Sequence, residues 1–299
     1  MSRMEIDGKA YEVEVLRRKT SAPEVPRLLI VSFLPRLESL DVLSVCLDGI
    51  QQFTPEEHEV WVIDNHSPEE FSNKLRERED INIVFNRTTP KPGSKEPESW
   101  WRRVFCRQDK KSASDEQMEF ASYANAVGLE LGLQAIPEEV HYVMTMHMDT
   151  MPCRSNWLAH LKSKLNDQVK LSGVRLDKAR VSDGVIHVLG MLIDYRAFRS
   201  LDLDFFPDLP DYDVGDRVTV EFRKHGYQVV HCPNSLRDPD ALSRLDADSI
   251  FHEYIVDRSV DDEGEVVFLH MGRGVRKSVG RKEKGLTIPE WVEFSKKLL

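Results

Sequence analysis

The chain has 299 residues, of which 40% are hydrophobic and 31% are charged. This length suits one large α/β domain or two small ones, and the hydrophobic content excludes a disordered chain. The formal net charge is −10. That charge argues against nucleic acid as a partner, because binding to phosphates requires a surplus of Lys and Arg.

The cysteines and the N-terminus bear on the cellular compartment. Four cysteines are scattered without CxxC spacing, which argues against a zinc site and is typical of reduced, mostly buried thiols. The first 20 residues are charged throughout, and no apolar run reaches the length of a membrane span. We therefore predict a cytoplasmic protein without a transmembrane segment, for which peripheral contact with a membrane stays open.

Strands and helices alternate over the first ninety residues. Continuous apolar runs are typical of strands buried on both faces, and apolar residues three and four apart are typical of helices. The resulting β-α-β-α-β order predicts an α/β fold with a doubly wound, mostly parallel sheet flanked by helices. The predicted strands are 28–33, 59–65 and 81–85, with an edge strand at 11–16, and the predicted helices are 37–53 and 68–79.

The same alternation continues in the second half of the chain. Strands are predicted at 140–146, 185–193, 228–232 and 265–270, and helices at 120–135, 157–165, 195–201, 214–226 and 290–299.

A basic loop insertion at 86–118 interrupts this order. Between Pro90 and Lys111, seven Lys or Arg residues stand against three Asp or Glu residues, and Trp100 and Trp101 lie among them. A stretch of this length is either functional or a solvated loop with two aromatic side chains packed on the core. We predict one domain at 27–275, an N-terminal extension at 1–26, and a C-terminal tail with a helix at 276–299.

Polar residues follow four of the predicted strands directly. In open α/β sheets, ligands bind outside the carboxyl ends of the strands. Two histidines and two aspartates at such ends therefore indicate a site. The residues concerned are Ser32, Asp64, Asn65, His147, Asp149 and His270.

The order of several motifs is informative where each motif alone is weak. An apolar strand at 28–33 precedes Val62-Ile63-Asp64-Asn65-His66-Ser67, and a later strand ends in His147-Met148-Asp149, followed by Pro152 and Trp157-Leu158. An acidic segment at 212–216 and a His-Met-Gly-Arg-Gly ending at 270–274 come after them. Together these motifs resemble the family 2 glycosyltransferases of GT-A fold, over roughly residues 27–275.

This resemblance implies a metal-dependent transferase with Asp149 and His270 as metal ligands. His147 stands where the family has the first Asp of its D-x-D motif. A His-Asp-His set would favour Mn²⁺ over Mg²⁺, whereas a weakened or lost metal site is the other interpretation. His147 as a buried, hydrogen-bonded histidine also stays open, as does Asp149 as a turn or capping residue.

The resemblance further implies a nucleotide site. Asp64 would hydrogen-bond the nucleobase, and Ser32 would line its pocket. Among the basic residues of the tail, Arg273 would contact the diphosphate, because guanidinium groups bind phosphates in a bidentate manner. The remaining predicted nucleotide-binding residues are Asn65, Ser122 and Asn125.

An inverting transferase also needs a general base for the acceptor hydroxyl. Asp213 and Asp216, at the start of the helix predicted at 214–226, are the two candidates. In one alignment register the family's base falls on Gly215, so the choice between its neighbours stays open, with a preference for Asp213. The alternative for both is an acidic helix start that complements the macrodipole.

The sequence therefore predicts an enzyme that transfers a sugar from a nucleotide-sugar donor to the hydroxyl of a glycan, a lipid-linked saccharide or a metabolite. The insertion with Trp100 and Trp101 would help the acceptor or a membrane surface to dock. The alternative is a binding or scaffold protein of the same fold without catalysis, which the incomplete D-x-D motif motivates. A nucleotidyltransferase ranks last, because no glycine follows the first strand at 33–36.

Overall fold

The computed structural model describes residues 1–91, 113–179, 181–235, 239–252 and 257–299. Short 3₁₀ helices lie at Asn73–Glu77, Pro239–Arg244 and Ile250–His252. The strands are β1 (Ser2–Ile6), β2 (Lys9–Leu16), β3 (Arg27–Ser32), β4 (Glu59–Asn65), β5 (Asn82–Asn86), β6 (Tyr142–His147), β7 (Thr150–Pro152), β8 (Val169–Gly173), β9 (Leu176–Asp177), β10 (Val185–Ile186), β11 (Gly190–Asp194), β12 (Gln228–His231), β13 (Asp257–Val260) and β14 (Val266–His270). The helices are α1 (Leu37–Phe53), α2 (Glu69–Ser72), α3 (Ala113–Ala135), α4 (Trp157–Ser163), α5 (Tyr195–Ser200), α6 (Asp216–Lys224), α7 (Gly274–Ser278) and α8 (Ile288–Leu298).

A nine-stranded sheet forms the centre of the molecule, in the order β1-β2-β5-β4-β3-β6-β11-β8-β12. Strands β5, β4, β3 and β6 pair in parallel, as do β8 and β12. Only β2 and β11 run antiparallel to both of their neighbours in this sheet. Seven of its nine strands therefore point the same way, which confirms the predicted single-domain α/β fold with a mostly parallel sheet.

Helices cover both faces of this sheet, because its inner strands are apolar on both sides. In β3, Leu28 and Ile30 belong to one buried cluster, with residues of α1, α4 and α8. Leu29 points to the opposite cluster, with residues of α3, α5 and α6. This alternation explains why a continuous apolar run, rather than an alternating one, encodes the strand.

A second, three-stranded sheet has the order β13-β14-β7. Its strand β7 starts three residues after β6 ends, so the chain passes from the central sheet into the small one at His147–Thr150. The register of β14 then sets His270 opposite Thr150. The small sheet thus brings the C-terminal part of the chain to the carboxyl end of β6.

The C-terminal helix α8 packs against the core through Trp291 and Phe294. A capping box defines its start, in which Thr287 and Glu290 each accept a hydrogen bond from the other's backbone N–H.

The N-terminal residues contribute β1 and β2 to one edge of the central sheet. The domain limits at residues 26 and 275 stay a prediction.

Several elements differ from the sequence-based expectation. The predicted edge strand corresponds to β2, which pairs on both sides, and β1 is the edge instead. The strand predicted at 185–193 is divided into β10 and β11 by the segment around His187. Helix α6 starts only at Asp216, because Gly215 has a φ of +74° and cannot extend the helix.

Further differences concern lengths and omissions. The predicted helix at 68–79 is a four-residue α-helix followed by a 3₁₀ helix. The described helix α3 begins at Ala113, inside the predicted insertion. Residues 92–112 of that insertion, which include Trp100 and Trp101, lie outside the described residues. Strands not predicted from the sequence are β1, β7, β8, β9 and β13.

Two further expectations concern cysteines and membrane spans. Cys46 and Cys232 are buried free thiols and Cys153 is a partly buried one, while Cys106 lies outside the described residues. Among the helices of the described ranges, none has both the length and the apolar character that a membrane crossing requires.

Candidate metal centre

Three side chains that the sequence singled out meet at the carboxyl end of β6. His147 is the last residue of β6, and Asp149 lies in the turn that leads into β7. His270 is the last residue of β14 and is held beside β7 by the antiparallel ladder. One turn and one strand pairing are therefore sufficient to bring together residues more than a hundred positions apart in sequence.

The three side chains have the spacing of ligands around one cation. Oδ1 of Asp149 lies 3.5 Å from Nε2 of His270 and 4.0 Å from Nδ1 of His147. One ligand atom from each residue lies within 4.8 Å of the others. Ligands about 2.1 Å from one ion lie about 3 Å apart when adjacent and about 4.2 Å apart when opposite. The donor set of two imidazoles and one carboxylate therefore fits a divalent cation.

The Asp149 carboxylate is held rigidly from its other side. Oδ2 of Asp149 accepts a hydrogen bond from the backbone N–H of Gly274 at 2.8 Å. The backbone carbonyl oxygen of Asp149 accepts another from the backbone N–H of Met271. Asp149 is only 6% exposed. Because Oδ2 is occupied in this way, Oδ1 is the oxygen that faces the two histidines.

Burial and neighbouring charges shift the pKa values of the three side chains in different directions. Burial lowers the pKa of His147 to about 4, against the opposing effect of the Asp149 charge. Burial also lowers the pKa of His270, but Asp149 and Asp257 outweigh it and raise that pKa to about 9. Burial raises the pKa of Asp149, yet His270 and His147 hold it far below its usual range. At neutral pH His147 is therefore neutral, and a charged His270 pairs with Asp149.

His147 has two further neighbours. Its Nε2 lies 3.4 Å from Nδ2 of Asn125, a residue predicted to bind nucleotide. The ring of His187 meets the ring of His147 edge to face, with centroids 5.4 Å apart. Nδ1 of His187 accepts the backbone N–H of Leu189, so in the neutral ring Nε2 carries the proton. Sequence reasoning missed His187, although a histidine inside the apolar run at 185–193 was the signal that could have found it.

The two candidate general bases lie in different environments. The Asp213 charge is one of those that act on His147, and it opposes the lowering of the His147 pKa by burial. Asp216 is only 4% exposed, and its Oδ2 accepts the backbone N–H of Asp213 at 2.8 Å. Asp216 therefore holds the turn that presents Asp213.

The residues predicted around the nucleobase lie at the ends of β3 and β4. Ser32 and Asp64 are direct partners in the parallel ladder, and both are fully buried. Oδ2 of Asp64 accepts the hydroxyl of Ser72 at 2.7 Å, and burial raises the pKa of Asp64. The side chain of Asn65 donates to the carbonyl of Ala124 in α3. Oδ2 of Asp64 and the side-chain amide of Asn65 are therefore engaged in internal hydrogen bonds.

The remaining two predicted nucleotide-binding residues differ in exposure. Ser122 is 8% exposed on α3. Arg273 extends into solvent with 64% of its side chain exposed, and its guanidinium pairs with Glu283. Arg276 pairs with the same carboxylate. The basic tail is therefore partly neutralised by its own acidic residue.

Comparison with known proteins gives distant similarities. No family model matches the sequence, and no curated protein matches it. A mannosyltransferase from Pyrobaculum calidifontis, in complex with GDP-Man and Mn²⁺, is 14% identical with a TM-score of 0.47, and the match covers 71% of this chain and 57% of that chain. The chain thus spans little more than half the length of that enzyme. Membership of family 2 stays a prediction.

Two further solved structures are similar at the same level. Mouse xyloside xylosyltransferase 1, in its apo form, is 14% identical with a TM-score of 0.34, and the match covers 58% of this chain and 69% of that chain. A 4-diphosphocytidyl-2C-methyl-D-erythritol synthase from Anaerococcus prevotii is 13% identical with a TM-score of 0.38, and the match covers 70% of this chain and 89% of that chain.

Proposed function

We propose that this protein transfers a sugar from a nucleotide-sugar donor to an acceptor hydroxyl, with a divalent cation held by His147, Asp149 and His270. The observation that carries the proposal is the convergence of these three side chains at the carboxyl end of β6. In an open α/β sheet this end is where ligands bind. The order of sequence motifs that resembles the GT-A glycosyltransferases supports the same assignment.

The ligand set favours Mn²⁺ over Mg²⁺. Mg²⁺ prefers oxygen ligands in near-ideal octahedral geometry, whereas Mn²⁺ also accepts imidazole. When bound, the cation would offset the negative charge that develops on the diphosphate leaving group. The protein's own part is to hold Asp149 through Gly274 and to fix both imidazoles toward one point.

Asp213 is the general base in this proposal. It lies within electrostatic reach of His147, and the buried Asp216 holds its backbone. A carboxylate at this position would take the proton from the acceptor hydroxyl while that oxygen attacks the sugar carbon. The outcome would be inversion at that carbon, and the acceptor would be a glycan, a lipid-linked saccharide or a metabolite.

The nucleotide would lie along the ends of β3 and β4. In this proposal Ser32 and Asp64 contact the nucleobase. The guanidinium of Arg273 leaves Glu283 and binds the diphosphate instead. The other nucleotide-binding residues of the proposal are Asn65, Ser122 and Asn125. A cytoplasmic protein with this site would draw on soluble nucleotide-sugars.

Calorimetric titration of UDP, GDP and dTDP, each with and without Mn²⁺, tests the proposal. We expect one nucleotide to bind saturably and its binding to be lost with a chelator. Asp149→Ala should abolish this metal-dependent binding, because the carboxylate that faces both histidines is removed. Asp48→Asn is a matched control, since it removes a half-exposed carboxylate on α1 that pairs with Arg78. Unchanged metal-dependent binding by Asp149→Ala contradicts the site.

The second candidate is a catalytically inactive binding protein of the same fold. The observation that favours it is the imidazole of His147 in place of a carboxylate. Slow hydrolysis of the sugar nucleotide without acceptor, dependent on Mn²⁺, supports the transferase. Metal-dependent nucleotide binding without any hydrolysis or transfer supports the binding protein.

A further inference from the structure

His270 has a second carboxylate neighbour, on the side opposite to Asp149. Asp257 stands directly across from His270 in the antiparallel β13–β14 ladder, so both side chains lie on the same face. Oδ2 of Asp257 lies 3.8 Å from Nδ1 of His270, and Oδ1 of Asp149 lies 3.5 Å from Nε2. The two ring nitrogens of His270 therefore face two different carboxylates.

The guanidinium of Arg175 pairs with the carboxylate of Asp257. Its Nη1 lies 3.4 Å from Oδ2 of Asp257, and its Nη2 lies 2.5 Å from Oδ2 of Asp177. The side chains of Arg175 and Asp257 are only 8% and 7% exposed. Away from water, charge-assisted contacts of this kind restrict side-chain motion more strongly than they do at a surface.

We propose that Asp257 is the positioning residue of the metal centre, held by Arg175. With the cation bound, its carboxylate would accept the Nδ1–H of His270, and the lone pair of Nε2 would be available to the cation beside Asp149. Carboxylates behind histidine ligands fix the tautomer and the ring orientation and make the imidazole a stronger ligand. This inference rests on the metal centre proposed above.

The two histidine ligands are then not equivalent. The second ring nitrogen of His147, Nε2, lies 3.4 Å from Nδ2 of the neutral amide of Asn125. His270 has a carboxylate in the same relation, and that carboxylate is itself paired with a guanidinium. His270 is therefore the ligand whose orientation depends on a charged partner, and Asp257 contributes to metal affinity without contacting the ion.

Titration of the nucleotide-free protein with Mn²⁺, followed through the electron paramagnetic resonance signal of the free ion, tests this inference. Asp257→Asn should raise the Kd for Mn²⁺ by about 10- to 100-fold, the usual effect of losing such a partner. Asp177→Asn is the matched control, because it changes the other carboxylate that pairs with Arg175 and not the carboxylate beside His270. We expect its Kd to stay within about two-fold of wild type, in line with an indirect role.

The possible results separate this inference from the proposed function. Saturable Mn²⁺ binding by wild type, with the same Kd in Asp257→Asn, overturns the role of Asp257 and leaves the metal centre intact. No saturable binding by wild type overturns the metal centre and the role of Asp257 together. Equal losses in Asp257→Asn and Asp177→Asn also overturn the inference, since they indicate a general disturbance around Arg175.

A measurement on the wild-type protein keeps the inference testable if Asp257→Asn does not fold. Long-range ¹H–¹⁵N correlation of the histidine rings in the Zn²⁺-loaded protein reports which nitrogen carries the proton. We expect His270 to carry it on Nδ1, toward Asp257. A proton on Nε2 of His270 overturns the inference.

Discussion

The backbone N–H of Gly274 donates a hydrogen bond to Oδ2 of Asp149 at 2.8 Å. A Cβ atom at position 274 would lie only 2.7 Å from Cβ of Asp149 and 3.2 Å from its Oδ2. The absence of a side chain at Gly274 therefore allows the start of α7 to approach the carboxylate. This contact fixes which oxygen of Asp149 faces the histidines.

Gly274→Ala should displace Asp149 and weaken the metal centre. Contacts under 3 Å force the structure to shift, and overpacking of this kind costs about 1–3 kcal/mol of folding stability. We expect at least about a ten-fold rise in the Kd for Mn²⁺, as for a lost supporting contact. Mn²⁺ titration by electron paramagnetic resonance measures this.

Gly132→Ala is the control for overpacking alone. Gly132 lies inside α3, away from the three ligands. A Cβ atom added there would lie 3.0 Å from Cδ1 of Ile63. Its Kd for Mn²⁺ should equal that of wild type. If both variants bind Mn²⁺ as wild type does, the contact between Gly274 and Asp149 has no role in metal binding.

Asp213 and Asp216 should respond differently to substitution. Asp213→Asn removes the proposed base and should lower kcat by about 10²- to 10⁴-fold, with nucleotide affinity and thermal stability unchanged. Asp216→Ala leaves the backbone N–H of Asp213 without its acceptor, which should cost about 1–3 kcal/mol of stability. Steady-state kinetics and thermal denaturation separate the two effects. A transferase rate in Asp213→Asn equal to wild type would exclude Asp213 as the base.

Glu130 should make stability depend on pH. Burial raises its pKa to about 7, and its Oε1 accepts the backbone N–H of Phe205. Because this pKa lies above the value of 4.5 for an unperturbed Glu, the folded state binds the proton more tightly than the unfolded state. The contribution of Glu130 to stability is therefore present at low pH and is lost as pH rises from about 4.5 to about 7.

Glu130→Gln should remove this dependence, because glutamine keeps the acceptor oxygen and does not ionise. We expect the change in unfolding free energy between pH 5 and pH 8 to become smaller by about 2 kcal/mol. Urea denaturation at both pH values measures it. Glu293→Gln, an exposed site on α8, serves as the control and should leave the dependence as in wild type. An identical pH dependence in Glu130→Gln and wild type contradicts the assigned pKa.

The sheet and the three ligand candidates could be predicted because their signals are local. Strands β3 and β4 are short apolar runs, and His147 and Asp149 follow such a run directly. The rule that ligands bind at the carboxyl ends of parallel strands then pointed to the edge of the sheet where His147 and Asp149 lie. His270 was singled out by the same rule as the end of the last predicted strand. However, β14 belongs to the antiparallel three-stranded sheet, so the position of His270 follows from the register between β7 and β14 instead.

Asp257 and Arg175 could not be found in this way. Asp257 starts a four-residue strand with the sequence Asp-Arg-Ser-Val, which has no apolar period. Its place beside His270 depends on the register between β13 and β14, which is a property of strand pairing over a long sequence separation. Arg175 reaches the site from the irregular segment between β8 and β9, where side-chain direction follows from tertiary packing.

The proposed transferase requires that His147, Asp149 and His270 bind one divalent cation. An anomalous difference map from a crystal of the protein soaked in Mn²⁺ shows whether the ion lies there. We predict a single strong peak about 2.1–2.3 Å from Oδ1 of Asp149 and from one nitrogen of each histidine, the distances usual for such ligands. A map without a peak among these three side chains, at a Mn²⁺ concentration that supports nucleotide binding, would contradict the claim.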